Sequence, residues 1–392
     1  MKKYLSLLLC IICIAAVCVM MFRLEEDRQA QSTTVDSAAT DTVTEWQASA
    51  GSTYKFYYKK LSDIEKEAYD DILSEIYSMP ETIIVPRITA EQLDAVFSAL
   101  LYDNPDLFFV GRKCTLITEF FRVRCSVEYI CDFEEYTQRK QELDAVCEEV
   151  ISSLSNPEDE WQTELEIHDY IVENCEYKLV ENEHIYSSAY GALVNGKAAC
   201  EGYSKAAKLL FDKVGIESAV VSGVSSSDSG TPGAHMWNAV KINGDYYYLD
   251  CTWDDPLSED GKNVKIYSYF NLNDDMIAST HSEFSHDFGC TAAAENYYIK
   301  KGRFFEEYDR SCEDAVAQII ADELNDGGDA VEIRFGSADT FNSAVEDLIE
   351  GGRIYDVLSL TRSKTKVKFS HDSLSYYSDP DSLTLTIVPE RR

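Results

Sequence analysis

The chain has 392 residues, enough for two or three domains. Acidic residues number 70 against 35 basic, and the resulting charge of −35 repels phosphate backbones and argues against a nucleic-acid binder. With 45% hydrophobic residues and only 8 prolines and 18 glycines, global disorder and collagen-like repeats are excluded.

Met1-Lys2-Lys3-Tyr4 precedes an uncharged, largely apolar run from Leu5 to Phe22, which Arg23 and Glu25-Glu26-Asp27 end. As a helix rising about 1.5 Å per residue, the run matches the hydrocarbon thickness of a bilayer. The lysines before it stay cytoplasmic, so the remainder is expected outside. No small-x-small cleavage site follows. Residues 1–28 therefore read as an uncleaved membrane anchor rather than a removed signal peptide, with a secreted protein as the outcome if the segment is cleaved. Cys10 and Cys18 follow the bulky Leu9 and Val17, which disfavours lipid attachment there. Residues 29–50, rich in Ser, Thr, Ala and Gln, read as a flexible linker.

Of 12 cysteines, Cys10, Cys13 and Cys18 lie in the apolar run. The others form no C-x-x-C or zinc-knuckle pattern, and although exported cysteines often pair, no pairing is assigned.

Residues 51–157 read as an N-terminal α+β region. Leu61, Ile64, Ala68, Ile72 and Ile76 recur at helical steps, and a second helix is expected over Thr89–Leu101. Asp103-Asn104-Pro105 marks a turn, 113–132 a strand or hairpin, and Phe133–Leu154 a further helix. No catalytic constellation is visible there. Asn156-Pro157 breaks the chain before an amphipathic helix, Glu158–Cys175, that opens the segment 158–295. In the C-terminal α+β region, 296–392, helices are expected near 312–325 and 338–350, with strands near 329–335 and after 365. Lys364, Lys366 and Lys368 alternate with Thr365, Val367 and Phe369 and read as one wet strand face.

The chemistry concentrates in 158–295. Asn195-Gly196 marks a turn, and a helical stripe of Ala206, Leu209, Leu210 and Val214 begins after it, with Gly215 as a natural C-cap. Cys200 thus falls in or beside the first turn of a helix, where free N–H groups and the helix dipole favour the nucleophilic thiolate. A lone cysteine is more often a packing residue. This one has company. Asn243-Gly244 between Val240-Lys241-Ile242 and Asp245-Tyr246-Tyr247-Tyr248-Leu249 predicts a two-residue hairpin. In that register Asp250 falls opposite Trp237 and Thr252 opposite His235, so all four share one sheet face. His235 and Asp250 become diagonal neighbours within hydrogen-bonding reach, which is how a triad acid orients its histidine.

Cys200-Glu201-Gly202-Tyr203, His235-Met236-Trp237-Asn238 and Asp250-Cys251-Thr252-Trp253-Asp254-Asp255-Pro256 resemble the transglutaminase-like superfamily, in particular its bacterial exported branch. The resemblance covers roughly residues 160–275 and implies a papain-like α+β core with Cys200, His235 and Asp250 as the catalytic triad. Met236 stands where a small residue is common and Cys251 where a β-branched residue is usual. The implied reaction is acyl transfer at an amide: Cys200 attacks the carbonyl, His235 protonates the leaving amine, and water or a primary amine resolves the thioester. The Cys200 N–H is a natural oxyanion donor, with Tyr190 and Asn195 as open alternatives for the second.

Trp237 and Trp253 are candidates for shielding the site, with core packing preferred at Trp253. Ser222–Gly233 reads as a loop over the cleft. Asp254-Asp255 and Asp274-Asp275 lack the calcium-loop pattern and read as helix-start or solvated loop charges. His168, His184, His281, His286 and His371 show no zinc spacing, and His168 reads as a surface residue on its helix. No cofactor or metal ion is called for. The expectation is a membrane-anchored, extracellular cysteine enzyme acting on a protein or peptide, including cell-wall or surface material, with peptidase or amidase favoured over cross-linking. The alternative is a non-catalytic cell-surface binding or scaffold module.

Overall fold

The computed structural model describes residues 54–120, 122–180, 183–226, 230–255 and 265–391. The expected anchor and linker of residues 1–50 lie outside them. No helix among the described residues is long and apolar enough to cross a membrane.

The N-terminal region runs α1 (Phe56–Lys60), α2 (Asp63–Ile76), β1 (Ile83–Val85), α3 (Ala90–Asp103), β2 (Val110–Thr118), β3 (Val123–Tyr129) and α4 (Phe133–Ser153). Ser62 with Glu65 and Thr89 with Gln92 form capping boxes that start α2 and α3. The strands form an antiparallel sheet in the order β1-β3-β2.

The central segment contains α5 (Glu160–Asn174), β4 (Glu176–Tyr177), α6 (Ala189–Leu193), β5 (Lys197–Ala198), α7 (Cys200–Val214), β6 (Ser218–Ser225), β7 (Gly233–Ile242), β8 (Asp245–Leu249), α8 (Asp274–Ile277) and β9 (His281–Ser282). Its main sheet is antiparallel, in the order β8-β7-β6-β9. β7 and β8 pair with Ile242 opposite Asp245 and Asn238 opposite Leu249, the register that Asn243-Gly244 demands; both turn residues have positive φ. α7 lies against this sheet and ends at Gly215, whose φ of 83° is the left-handed C-cap conformation.

The ladder stops at Leu249. Asp250 and Thr252 leave the strand for a turn, so the expected cross-strand pairs of Asp250 with Trp237 and Thr252 with His235 do not form; His235 pairs instead with Gly223 of β6. The cause is local: Asp250 Oδ1 accepts the N–H groups of Thr252 and Trp253 at 2.9 and 3.2 Å, curling the chain away.

The C-terminal region continues with α9 (Tyr297–Lys300), β10 (Phe304–Phe305), α10 (Glu313–Asn325), β11 (Val331–Phe335), α11 (Ala338–Val345), α12 (Ile354–Lys364), β12 (Phe369–Asp379) and β13 (Thr384–Arg391). Its sheet order is β10-β11-β13-β12. Lys364 ends α12, and Lys366 and Lys368 precede β12, so the three lysines do not share a strand face. The fold class is α+β throughout.

Both flanking regions brace the centre. Asp103 accepts the N–H groups of Tyr57 and Tyr58, and the Tyr57 hydroxyl donates to the Val220 carbonyl of β6. From the other side, buried Arg334 donates to the Ser268 carbonyl at 2.7 Å.

Candidate active site

Cys200 is the first residue of α7, and its side chain is half-buried. The approach to it is tightly packed: the Ala199 N–H donates to the Tyr186 carbonyl at 2.8 Å, and a Cβ on Gly202 would lie 2.6 Å from that same oxygen. Glycine two residues after the cysteine therefore lets the first turn of the helix sit against 184–188. Glu201 is held by Arg112 of β2 and, at 2.9 Å, by Lys205.

The motifs are tied to one another. Asn238 Nδ2 of β7 donates to the Ser204 carbonyl of α7 at 2.9 Å. The Tyr203 hydroxyl donates to Asp255 Oδ2 at 2.5 Å, which binds the helix to the turn after β8. The residues that follow Cys200 and His235 thus fix each element to the next.

His235, 8% exposed, sits on β7 with Nε2 2.6 Å from Asp250 Oδ2, and Cys200 hydrogen-bonds the same ring. With Nε2 taken by Asp250, Nδ1 is the nitrogen left for the sulfur. Cys200, His235 and Asp250 are thereby brought together. Burial works against a charged ring at His235, but the facing Asp250 carboxylate, with Cys200 adding to it, raises its pKa to about 10. Burial would likewise raise Asp250; His235 and His281 more than offset it and hold the carboxyl well below the usual range.

His281 was not legible as part of this site. Its Nε2 lies 3.1 Å from the same Asp250 Oδ2, and its Nδ1 lies 2.9 Å from the Thr280 hydroxyl. Burial dominates there and lowers its pKa, so the ring is neutral. The candidate ligand atoms of His235, Asp250 and His281 fall within 4.8 Å of one another, the one such metal-capable group among the described residues. Both imidazoles already meet the carboxylate at direct hydrogen-bond distance, however. An ion with ligand distances of about 2.0–2.2 Å would have to break both bonds.

Trp237 is 1% exposed, and its ring stacks near His235 with centroids 5.8 Å apart. Trp253 packs at 4.9 Å from both Tyr269 and His281 and at 6.1 Å from His235. Trp237 is a core residue and Trp253 is partly buried against that core, and both wall the imidazoles. Of the two open candidates for an oxyanion donor, the Tyr190 hydroxyl is given to Glu142, and Asn195 is exposed at its turn.

Two expectations are corrected. His168 is fully buried rather than at the surface, with Nε2 3.1 Å from Asp254 and Nδ1 3.1 Å from Asp169. Asp254 and Asp255 are correspondingly buried, not solvated loop charges. Asp274 and Asp275 do lie in the first turn of α8, capped by Asn273. The nine cysteines outside the apolar run are all free thiols.

Residues 144–251, from within α4 to the residue after Asp250, match the family model described as the transglutaminase-like superfamily. Cys200, His235 and Asp250 all fall within the matched segment. No curated protein matches the chain. Among solved structures, a transglutaminase described as "a TGase" is 14% identical, with a TM-score of 0.27, over 46% of this chain and 52% of that one. One from Cytophaga hutchinsonii named a "putative cysteine protease" is 13% identical, with a TM-score of 0.25, over 36% of this chain and 61% of that one. A third, from Parabacteroides distasonis and named a "putative protease", is 12% identical, with a TM-score of 0.21, over 40% of each. The chain spans between 40% and 61% of the length of these structures.

Proposed function

We propose that this protein is a cysteine-dependent acyl-transfer enzyme that opens amide bonds of proteins or peptides. The observation that carries the reading is the Cys200–His235–Asp250 chain of contacts at the head of α7, with the histidine held cationic by a buried carboxylate. A cationic His235 stabilises the Cys200 thiolate, which attacks the amide carbonyl. Four N–H groups at the start of an α-helix have no intrahelical partner, and that of Cys200 is the natural donor to the developing oxyanion. His235 then gives its Nδ1 proton to the leaving amine or ammonia, leaving a thioester and a neutral imidazole. Water or a primary amine attacks the thioester, and His235 takes the proton as the Cys200 sulfur departs.

Water is the default acceptor, so peptidase or amidase action is favoured over cross-linking. The uncharged run Leu5–Phe22 supports a bacterial enzyme tethered at the membrane with this site outside the cell, facing wall or surface polypeptides. A purely scaffolding role would have no use for a buried carboxylate that keeps a histidine charged beside a cysteine.

The test is incubation of the wild-type protein and Cys200→Ala with casein and a fluorescent primary amine. Amine incorporation, ammonia release and new peptide termini are followed together. Any of these with the wild type and none with the variant supports the reading; equal behaviour of the two overturns it.

A further inference from the structure

The two oxygens of Asp250 are not used alike. Oδ1 takes the two backbone N–H groups of the turn, and Oδ2 takes two imidazoles, His235 at 2.6 Å and His281 at 3.1 Å. We propose that His281 is a positioning residue for the acyl-transfer reaction, a second imidazole donor that aims Oδ2 of Asp250 at His235. This rests on the reading of Cys200 and His235 as a nucleophile–base pair.

The proton assignment follows from chemistry. An ionised carboxylate only accepts, so His281 Nε2 carries the hydrogen it donates. A neutral ring then has a bare Nδ1, and the Thr280 hydroxyl is its donor at 2.9 Å. The same hydroxyl lies 3.4 Å from the Ile277 carbonyl, the longer of its two contacts. Thr280 and His281 therefore form a relay polarised toward Asp250, and each bond strengthens the next. The titratable groups facing His281 are Asp250, His235 and Tyr269.

The fold goes to some length to deliver this ring. His281 lies on the two-residue β9, paired with Ser225 at the edge of the sheet. Its imidazole is clamped by Trp237, with centroids 4.7 Å apart, and by Trp253 at 4.9 Å. The clamp permits little rotation, so the direction of Nε2–H is set before any substrate arrives. With both backbone donors on one oxygen and both imidazoles on the other, the carboxylate cannot turn toward solvent or toward Cys200 without losing several bonds at once.

The experiment measures the pH–rate profile of Cys200 alkylation by iodoacetamide, by peptide mass spectrometry, in the full-length protein in detergent. Wild type, His281→Ala, His281→Gln and His281→Phe are compared, with thermal melts alongside. Gln restores an N–H near the Nε2 position, whereas Phe keeps the packing between the two indoles but donates nothing. Losing one charge-assisted donor is expected to slow alkylation near pH 6 about tenfold in the Ala and Phe variants and to move the acid limb upward. Gln is expected to stay within about threefold of wild type. Ala or Phe profiles that superimpose on a fast wild-type profile overturn the positioning role and leave the nucleophile–base reading standing. A wild-type Cys200 that reacts as an ordinary thiol overturns both. One tightly bound zinc ion per chain, lost in His281→Gln, also overturns the proposal, because His281 would then be a ligand rather than a hydrogen-bond donor.

Discussion

Asn238 Nδ2 donates to the Ser204 carbonyl at 2.9 Å and lies 3.4 Å from the Ala219 carbonyl, so one buried amide ties the strand bearing His235 to the helix headed by Cys200. The distance between Cys200 and His235 is thus set by a third residue, three positions after the histidine.

Asn238→Ala leaves two buried carbonyls short of a donor and is expected to cost about 1–3 kcal/mol of stability, read by urea denaturation. Cys200 alkylation in the folded fraction should slow as well, because α7 and β7 lose their common tether. An unchanged midpoint with an unchanged alkylation rate would show that packing alone sets the spacing.

Gly223 faces His235 across the sheet, and a Cβ there would lie 2.6 Å from both the Ser282 carbonyl and the edge of the Trp237 ring. Gly223→Ala is expected to push β9 and the indole apart, at about 1–3 kcal/mol, and to slow Cys200 alkylation by displacing His281. Thermal melts and the alkylation rate check the two effects separately.

The buried His168–Asp254 pair has no place in the proposed chemistry, and Asp169 on the other ring nitrogen helps hold His168 protonated. His168→Leu leaves the Asp254 carboxylate buried without its cation and is expected to destabilise by about 3–5 kcal/mol. The double variant with Asp254→Leu should recover part of that loss, and denaturant titration of the three proteins measures the coupling.

Charged His235 and His168 also set the pH dependence of stability. Burial opposes both charges, but carboxylates raise the folded values to about 10 and about 9, against 6.5 for an ordinary imidazole. A raised cationic value adds stability that is fully present below about pH 6.5 and is lost as pH rises through 9 and 10. Unfolding free energy should therefore decline from neutral to alkaline pH. A free energy that stays level from pH 6.5 to 10 would mean that neither ring is charged in the native protein.

What the sequence disclosed and what it hid divide along physical lines. Period and turn chemistry are local, so Asn243-Gly244 specified the hairpin register and Gly215 the end of α7. That Cys200, His235 and Asp250 lie together was legible because three short motifs carry them. The turn after Leu249 was not, since side-chain capping by Asp250 overrides strand alternation. His281 lies 31 residues from Asp250 on a strand of only two residues, too short to leave a periodic trace. His168 meets Asp254 across 86 residues, and a polar residue on a buried helix face looks like surface until its partner is seen. Ile354, Val357, Leu358 and Thr361 of α12 do carry a helical period, placed directly after Gly351-Gly352.

The most direct measurement is the pH dependence of Cys200 alkylation in the wild type and in His235→Ala. Rapid modification well below the free thiol pKa of about 8.5, slowed markedly when the imidazole is removed, is the expected result. Alkylation that follows an ordinary thiol curve, unchanged by His235→Ala, would contradict a paired and activated nucleophile.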